Sequence, residues 1–97
     1  MQVRLHPAAA KELDRAVDWY IQEAGQRIAS GLVEDFDHLL ALIQDHPQIG
    51  ALEKSGARKL VFRRYPYTLV YRLRDSSFVI LAVAHHSRRP EYWAGRR

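Results

Sequence analysis

The spacing of the hydrophobic residues changes once along the chain, and this change restricts the possible folds more than any other feature. From Ala8 to about Ala24, and again from about Gln26 to Asp45, apolar residues recur every three or four positions. That spacing places them on one face of an α-helix. From Arg58 onwards the apolar residues alternate or run continuously, as they do in β-strands. Two helices followed by strands indicate an α+β domain.

Proline and glycine mark the ends of the two predicted helices. Pro7 suits a first helical turn, because its fixed φ and missing N–H cost little there. Gly25 is placed to adopt the positive φ that ends the first helix. Pro47 disfavours a helical conformation at His46 and so ends the second. Two amphipathic helices joined at one glycine predict an antiparallel helical hairpin.

Four segments have strand character, and two connections separate the later ones. The strands are Gln2–His6, Arg58–Arg64, Tyr67–Leu73 and Phe78–Ala84; the connections are a loop at Pro47–Gly56 and a turn at Arg74–Ser77. The last three strands follow one another through short turns, which predicts an antiparallel meander. The last is apolar on both faces, as a covered central strand should be. The predicted order is β-α-α-β-β-β, a helical hairpin packed on a small, mainly antiparallel sheet.

Length and composition restrict the class of protein. A chain of 97 residues is expected to form one domain spanning residues 1–97. With 47% hydrophobic and 27% charged residues, it has enough apolar side chains to fold rather than stay disordered. The absence of cysteine excludes disulfides and thiolate metal sites. No signal peptide or membrane-spanning run is apparent, so we expect a cytoplasmic protein that does not enter a membrane.

Charge is distributed unevenly between the two halves. Residues 1–56 hold five Lys/Arg against nine Asp/Glu, a net charge of −4. Residues 57–97 hold ten against two, a net charge of +8, which brings the total to +4. This asymmetry predicts that the second half meets an anionic partner. The alternative is that the acidic half packs against the basic half and neutralises it.

The motifs of common enzyme classes are absent. The five glycines are scattered rather than grouped in a phosphate-binding loop, and neither H-E-x-x-H nor G-x-S-x-G occurs. Two Asp-His pairs, Asp37-His38 and Asp45-His46, lie in the second helix and at its end. Neighbours on a helix point about 100° apart, which is poor for chelation. We therefore expect no metal, no cofactor and no small-molecule substrate.

The stretch AVAHHSRRPEYW, residues 82–93, is the strongest candidate for a functional site. Arginine matches phosphate, histidine titrates near neutral pH, and aromatic rings stack on bases. The candidate phosphate- or target-binding residues are Arg63, Arg72, Arg74, Arg88 and Arg89. Cleavage of RNA without a metal would need one group to accept the 2′-hydroxyl proton and another to protonate the leaving oxygen. The candidates for these catalytic roles are His85, His86, Arg88 and Tyr92.

A structural alternative exists for the same residues. Some of the arginines could pair with helix carboxylates, while Tyr92 and Trp93 cap the core. For Trp93 this alternative is the favoured interpretation. Trp19 raises a similar choice, since it lies about 120° from the apolar stripe of the first helix. It is either a partner-binding hot spot or a rim residue over the helix–sheet edge.

Several of these features together resemble the RelE/ParE superfamily of bacterial toxins. They are the short first strand, the helix that opens after His6-Pro7, the second helix ending in Asp45-His46-Pro47, the strand Tyr67–Arg72, and His85 followed by Arg88–Trp93. The resemblance covers nearly the whole chain. It implies a compact α+β toxin of a type II toxin–antitoxin pair, associated with growth arrest and plasmid stabilization. It also implies an antitoxin partner that wraps around the toxin, for which the candidate contacts are Trp19, Arg63 and Arg72.

The superfamily divides by target. ParE-like members act on DNA gyrase, whereas RelE-like members cleave mRNA on the ribosome. RelE-like nucleases usually carry an arginine at the place that Thr68 occupies here. The resemblance therefore favours a ParE-like toxin that acts on DNA gyrase without catalysis of its own. The alternative is a RelE-like, metal-independent mRNA endonuclease.

Overall fold

The computed structural model describes residues 1–97 and contains two helices and five strands. In chain order these are β1 (Gln2–Leu5), α1 (Pro7–Ala24), α2 (Gln26–Asp45), β2 (Ala51–Leu52), β3 (Arg58–Val61), β4 (Tyr67–Leu73) and β5 (Ser77–His85). The strands form one sheet in the order β1-β5-β4-β3-β2. β1 is parallel to β5, and every other pair is antiparallel. The predicted α+β fold is confirmed, including the meander β3-β4-β5.

Two predictions about the strands need correction. The segment Pro47–Gly56 is not entirely a loop, because Ala51 and Leu52 form β2 and pair with β3. A strand of two residues is too short to show a hydrophobic period. β3 ends at Val61 rather than Arg64, because the Arg64 N–H turns away and donates to Asp35 Oδ2 at 3.1 Å.

The ends of α1 show why the chain turns where it does. At the start, the His6 side chain caps the helix, since its Nδ1 accepts the Ala8 N–H at 3.0 Å. At the end, Gly25 has φ +91°, a conformation that side-chain-bearing residues rarely adopt, and its N–H donates to the Ile21 carbonyl at 3.2 Å. The predicted glycine joint is therefore confirmed. Neither α1 nor α2 combines the length and apolar character that a membrane span requires.

The sheet is covered on both faces, although by different parts of the chain. The helices cover one face and enclose the main core, which includes Leu32, Phe36, Ile43, Leu69, Tyr71, Phe78, Ile80 and Val83. The C-terminal segment His86–Arg97, here called the tail, covers the other. There the Trp93 ring is 3% exposed and packs in a second cluster with Ala57, Val70, Val79, Leu81 and Ala82. The favoured interpretation of Trp93, a cap on the core, agrees with this position.

A β-bulge in β5 decides which side chains reach each face. Val70 pairs with Ala82 but Tyr71 pairs with Ile80, so Leu81 is an extra residue. Leu81 and Ala82 consequently both lie on the tail side of the sheet. The alternation resumes one residue later, and Val83 belongs to the helix-side core. The bulge therefore sets the orientation of everything that follows in β5.

The buried Gly31 in α2 provides a test of packing between α2 and the β3–β4 turn. The Tyr65 side chain crosses α2 at Gly31, and its hydroxyl donates to the Ile28 carbonyl at 2.6 Å. A Cβ at position 31 would collide with that hydroxyl. Overpacking of this kind costs about 1–3 kcal/mol, against a gain of about 1 kcal/mol in helix propensity. We expect Gly31→Ala to lower the free energy of unfolding by about 1 kcal/mol, measured by urea denaturation.

The matched control is Gly95→Ala, since a Cβ there meets no atom within 4 Å. Its free energy of unfolding should change by less than about 0.5 kcal/mol. A Gly31→Ala variant as stable as the wild type would show that Tyr65 does not need this contact.

Candidate functional site

The tail is fastened to the body of the protein by one carboxylate, that of Glu12 on α1. Tyr92 Oη donates to Glu12 Oε2 at 2.6 Å, and the Arg96 guanidinium donates to both carboxylate oxygens at 2.9 and 3.1 Å. The Val83 N–H donates to Glu12 Oε1 at 3.0 Å. Three groups that lie 71, 80 and 84 positions from Glu12 in the sequence thus converge on its side chain.

The position of this network follows from the sheet topology. β1 covers the edge of β5 only as far as Ile80. Beyond it, the Val83 N–H meets Glu12, and the Leu81 carbonyl accepts Arg96 Nη1 at 3.0 Å. Buried backbone groups need partners. The Glu12 and Arg96 side chains therefore complete the edge that β1 leaves open.

The network shifts the pKa of its members in opposite directions. Burial alone would raise the pKa of the Glu12 carboxyl, but hydrogen bonds from Arg96, Tyr92 and Val83 lower it below its ordinary value. Burial and the hydrogen bond to Glu12 raise the pKa of Tyr92 to about 12. Glu12 is therefore ionised and Tyr92 protonated at neutral pH. The Tyr92 hydroxyl is engaged with Glu12, so it is poorly placed to exchange a proton with a substrate.

The two histidines of the candidate catalytic set point to different sides of the sheet. His85 lies on the helix side, where its ring stacks edge-on against Tyr67 with centroids 5.0 Å apart. Its Nδ1 accepts the Ser87 N–H at 3.0 Å. His86 lies on the tail side, with Nε2 3.1 Å from Thr68 Oγ1. The separation follows from strand alternation after the bulge, so the two rings have different neighbours although both residues line the basic cleft between the tail and the sheet.

A small basic cleft lies between the tail and the sheet. It has a volume of about 120 Å³, and its polar lining includes Lys59, Thr68, His86, Arg88 and Arg89. Lys59 forms an ion pair with Glu53 at 2.9 Å, and its ammonium lies 5.6 Å from the centroid of the Trp93 ring. The guanidinium of Arg88 lies 4.0 Å from the centroid of the Tyr92 ring. This cleft brings together the tail members of the predicted phosphate-binding set.

The other three predicted arginines do not join that cleft. Arg63 is exposed in the turn between β3 and β4, close to α2. Arg72 donates to the Ser55 carbonyl at 2.8 Å. It lies four residues along β4 from Thr68, about 13 Å at the usual rise of a strand. Arg74 lies farther still, in the turn between β4 and β5. The five arginines therefore do not form one continuous site.

The carboxylate of Asp35, which is buried, fastens the β3–β4 turn to α2. Asp35 is 3% exposed, and its Oδ1 accepts Arg64 Nη2 at 2.8 Å and Nε at 3.2 Å. Burial alone would raise the pKa of Asp35, but the hydrogen bonds from Arg64 lower it. With Glu12–Arg96 and Glu53–Lys59, this pairing joins the acidic and basic halves. The alternative interpretation of the charge asymmetry therefore accounts for three of the ten basic residues of the second half.

Sequence reasoning missed both carboxylates, although a signal was present. Glu12 lies three residues after Ala9 and four before Ala16, on the apolar stripe of α1. Asp35 lies in the same relation to Leu32 and Leu39 on α2. An acidic residue on an apolar stripe must be paired if the stripe is buried. No group of three or more His, Cys, Asp or Glu side chains is close enough to hold a metal ion.

Comparison with known proteins agrees with the fold and with the arrangement of the C-terminal half. A RelE/ParE-like toxin domain is the class that two helices on this mixed five-stranded sheet define. Residues 3–90 match the model of a family described as the ParE toxin of the type II toxin–antitoxin system parDE, and the chain belongs to that family.

One solved structure is similar over most of its length. It is described as a chromosomal ParDE toxin–antitoxin system from P. aeruginosa, and it matches with a TM-score of 0.75 and 25% sequence identity. The match covers 88% of this chain and 95% of the other. No match was found among curated proteins. Tyr92 and Arg96, two of the partners of Glu12, lie beyond the residues that the family model matches.

Proposed function

We propose that this toxin arrests growth by acting on DNA gyrase, without catalysis of its own, and that a cognate antitoxin neutralises it in the cytoplasm. The observation that carries the proposal is the engagement of the Tyr92 hydroxyl by the ionised Glu12. Two further features support it. Thr68 occupies the position of the arginine usual in RelE-like nucleases, and His85 and His86 lie on opposite sides of the sheet.

The charge of the second half supports an acidic antitoxin. Of its ten Lys/Arg residues, three form ion pairs within the protein, and seven have no carboxylate within 4.0 Å. An acidic, partly disordered segment that orders on binding would neutralise these charges. The proposed antitoxin contacts include Trp19, Arg63 and Arg72, all of which have exposed or half-exposed side chains.

The basic cleft favours one other function, cleavage of ribosome-bound mRNA. Thr68, His86 and Arg89 lie together there and could hold a phosphate group. In that case His86 would be the nearest acid or base, and Arg88 and Arg89 would stabilise charge on the phosphate.

Induction of the toxin without its antitoxin separates the two functions. We expect growth arrest with no new RNA 5′ ends inside translated codons, because the Tyr92 hydroxyl is engaged by Glu12 and the two histidine rings have different neighbours. We also expect the purified protein to inhibit supercoiling by DNA gyrase. New ends at fixed positions within codons would instead establish the nuclease. Cleavage should then be lost in a His86→Ala/Arg89→Ala variant, in which both replaced side chains are exposed.

A further inference from the structure

An aromatic cleft lies between α1 and the adjoining ends of β4 and β5, and His85 separates it from the basic cleft by lining both. It has a volume of about 390 Å³ and is lined by Trp19, Tyr20, Pro66, Tyr67, His85 and Ser87. A smaller cleft of about 230 Å³ adjoins it and shares Trp19, Tyr67 and His85. Of the shared residues, Trp19 is 56% exposed and is the largest exposed aromatic side chain of the molecule. Together the two clefts form a groove of a size that suits one or two large side chains.

The Trp19 ring is held in place although it is exposed. It stacks edge-on against Tyr20, with centroids 5.0 Å apart, and Tyr20 stacks in the same way against Tyr65 at 5.2 Å. The Tyr65 hydroxyl is in turn bonded to the Ile28 carbonyl. A fixed aromatic side chain loses little conformational entropy on binding, which is the property of interface hot spots.

The smaller cleft forms one end of the groove, and two arginines line it. These are Arg15 and Arg88, and neither has a carboxylate within 4.0 Å. The guanidinium of Arg88 is positioned by its contact with the Tyr92 ring. The only carboxylate of the lining, Glu12, is already satisfied by its own partners. The groove therefore offers an aromatic surface followed by two cations that lack a counterion.

We propose that this groove binds one segment of the antitoxin, with an apolar or aromatic side chain against Trp19 and Tyr67. An Asp or Glu next to that side chain in the antitoxin would pair with Arg15 and Arg88. The proposal rests on the proposed neutralisation by an antitoxin and adds the chemistry of the contact. Charge complementarity supports it, since an acidic partner would supply the carboxylate that the two arginines lack.

A polypeptide fits the groove better than a nucleic acid does. A nucleic acid strand brings a phosphate with every nucleotide, so its path must be basic over several residues. Here α1 exposes Glu23 one helical turn from Trp19, and ionised Glu12 lies in the groove lining. A single carboxylate of a bound polypeptide, by contrast, needs only Arg15 and Arg88 as its counterions.

The exposure of the two tryptophans permits a direct test on the wild-type protein. Trp93 is 3% exposed, so acrylamide should quench almost only the fluorescence of Trp19. On addition of the purified cognate antitoxin, the product of the adjacent gene, we expect quenching to fall and the emission to shift to shorter wavelength. A complex that forms on gel filtration without either change would overturn the proposal while leaving neutralisation intact. No complex at all would instead remove the proposed antitoxin function, and the groove proposal with it.

Substitutions then test the two parts of the contact. We expect Trp19→Ala to weaken antitoxin binding at least about 30-fold, the range of an interface hot spot. Arg15→Glu/Arg88→Glu should weaken it by about the same factor, and an acidic-to-lysine change in the bound antitoxin segment should restore part of the loss. The control is Arg27→Glu, an exposed arginine on α2, which should change the affinity less than about threefold. Equal effects of Arg27→Glu and the double variant would contradict a specific contact.

The same fluorescence assay distinguishes the other class of ligand. A single-stranded oligonucleotide should leave Trp19 quenching unchanged. Protection of Trp19 by the oligonucleotide but not by the antitoxin would show that the groove is a nucleic-acid site and would overturn the proposal.

Discussion

Replacement of Glu12 by leucine is expected to lower the free energy of unfolding by about 3–5 kcal/mol. Removing one partner of a buried ion pair leaves the other charge uncompensated and typically costs this much. The Glu12 and Arg96 side chains are still 12% and 19% exposed, so we expect the lower end of the range. Here the Arg96 guanidinium, the Tyr92 hydroxyl and the Val83 N–H all lose their acceptor. Because a domain of this size has only about 5–15 kcal/mol of stability, the loss could leave the variant largely unfolded at 37 °C. Urea denaturation followed by circular dichroism measures it.

The control for this substitution is Asp14→Leu, two residues further along the same helix. Asp14 is exposed and forms no ion pair, so its replacement should change the free energy of unfolding by less than about 0.5 kcal/mol. Similar effects of the two substitutions would show that the charge of Glu12 contributes nothing beyond its position on α1.

Acidification provides a second measurement of the same network. The pKa of Glu12 is lower in the folded protein than its ordinary value of 4.5, so its stabilisation is present above pH 4.5. It is lost as the pH falls through the folded value. We therefore expect the wild type to lose more stability than Glu12→Gln between pH 5 and pH 3, with Asp35 contributing in the same direction in both proteins. Parallel pH curves would contradict the assignment.

The second large effect is expected from Tyr71→Phe, which removes one buried hydroxyl. Tyr71 Oη accepts the Gly50 N–H at 2.9 Å and donates to the Pro47 carbonyl at 2.7 Å. The Tyr71 ring is fully buried. Its two hydrogen bonds therefore hold the loop between α2 and β2 in place. Loss of the hydroxyl leaves a donor and an acceptor without partners, each worth about 1–3 kcal/mol when buried. We expect the free energy of unfolding to fall by about 3 kcal/mol, measured by urea denaturation.

Tyr67→Phe is the matched control, because Tyr67 lies on the same face of β4 and its hydroxyl has no hydrogen-bond partner in the protein. It should change the free energy of unfolding by less than about 1 kcal/mol. A Tyr71→Phe variant no less stable than this control would show that water replaces the lost partners.

The long elements of the fold could be predicted because each has a local cause. The apolar stripes defined α1 and α2, and Gly25 and Pro47 marked their ends. The short β2 and the bulge at Leu81 could not be predicted, because both depend on pairing with another strand rather than on hydrophobic spacing. The orientation of His85 and His86 depends on that bulge, so the arrangement of the site was beyond sequence reasoning.

The site residues show the same division. The stretch Ala82–Trp93 was recognised as a candidate site from its composition, and its members His86, Arg88 and Arg89 do share a cleft. The distance of Arg72 from that cleft follows from its register in β4, which the sequence alone did not determine. Glu12 had a readable signal in its place on the apolar stripe. Its partner Arg96 did not, since nothing local connects two residues that lie 84 positions apart.

That separation has a consequence for the rate of unfolding. The contacts of Glu12 span 71, 80 and 84 positions of sequence, among the longest loops that this chain can close. Such closures are expected late in folding, after the helical hairpin and the β3-β4-β5 meander have formed from nearer contacts. Interactions that are absent from the transition state act mainly on the unfolding rate. The Glu12 network should therefore act as a kinetic latch, which prolongs the lifetime of the folded toxin without speeding its formation.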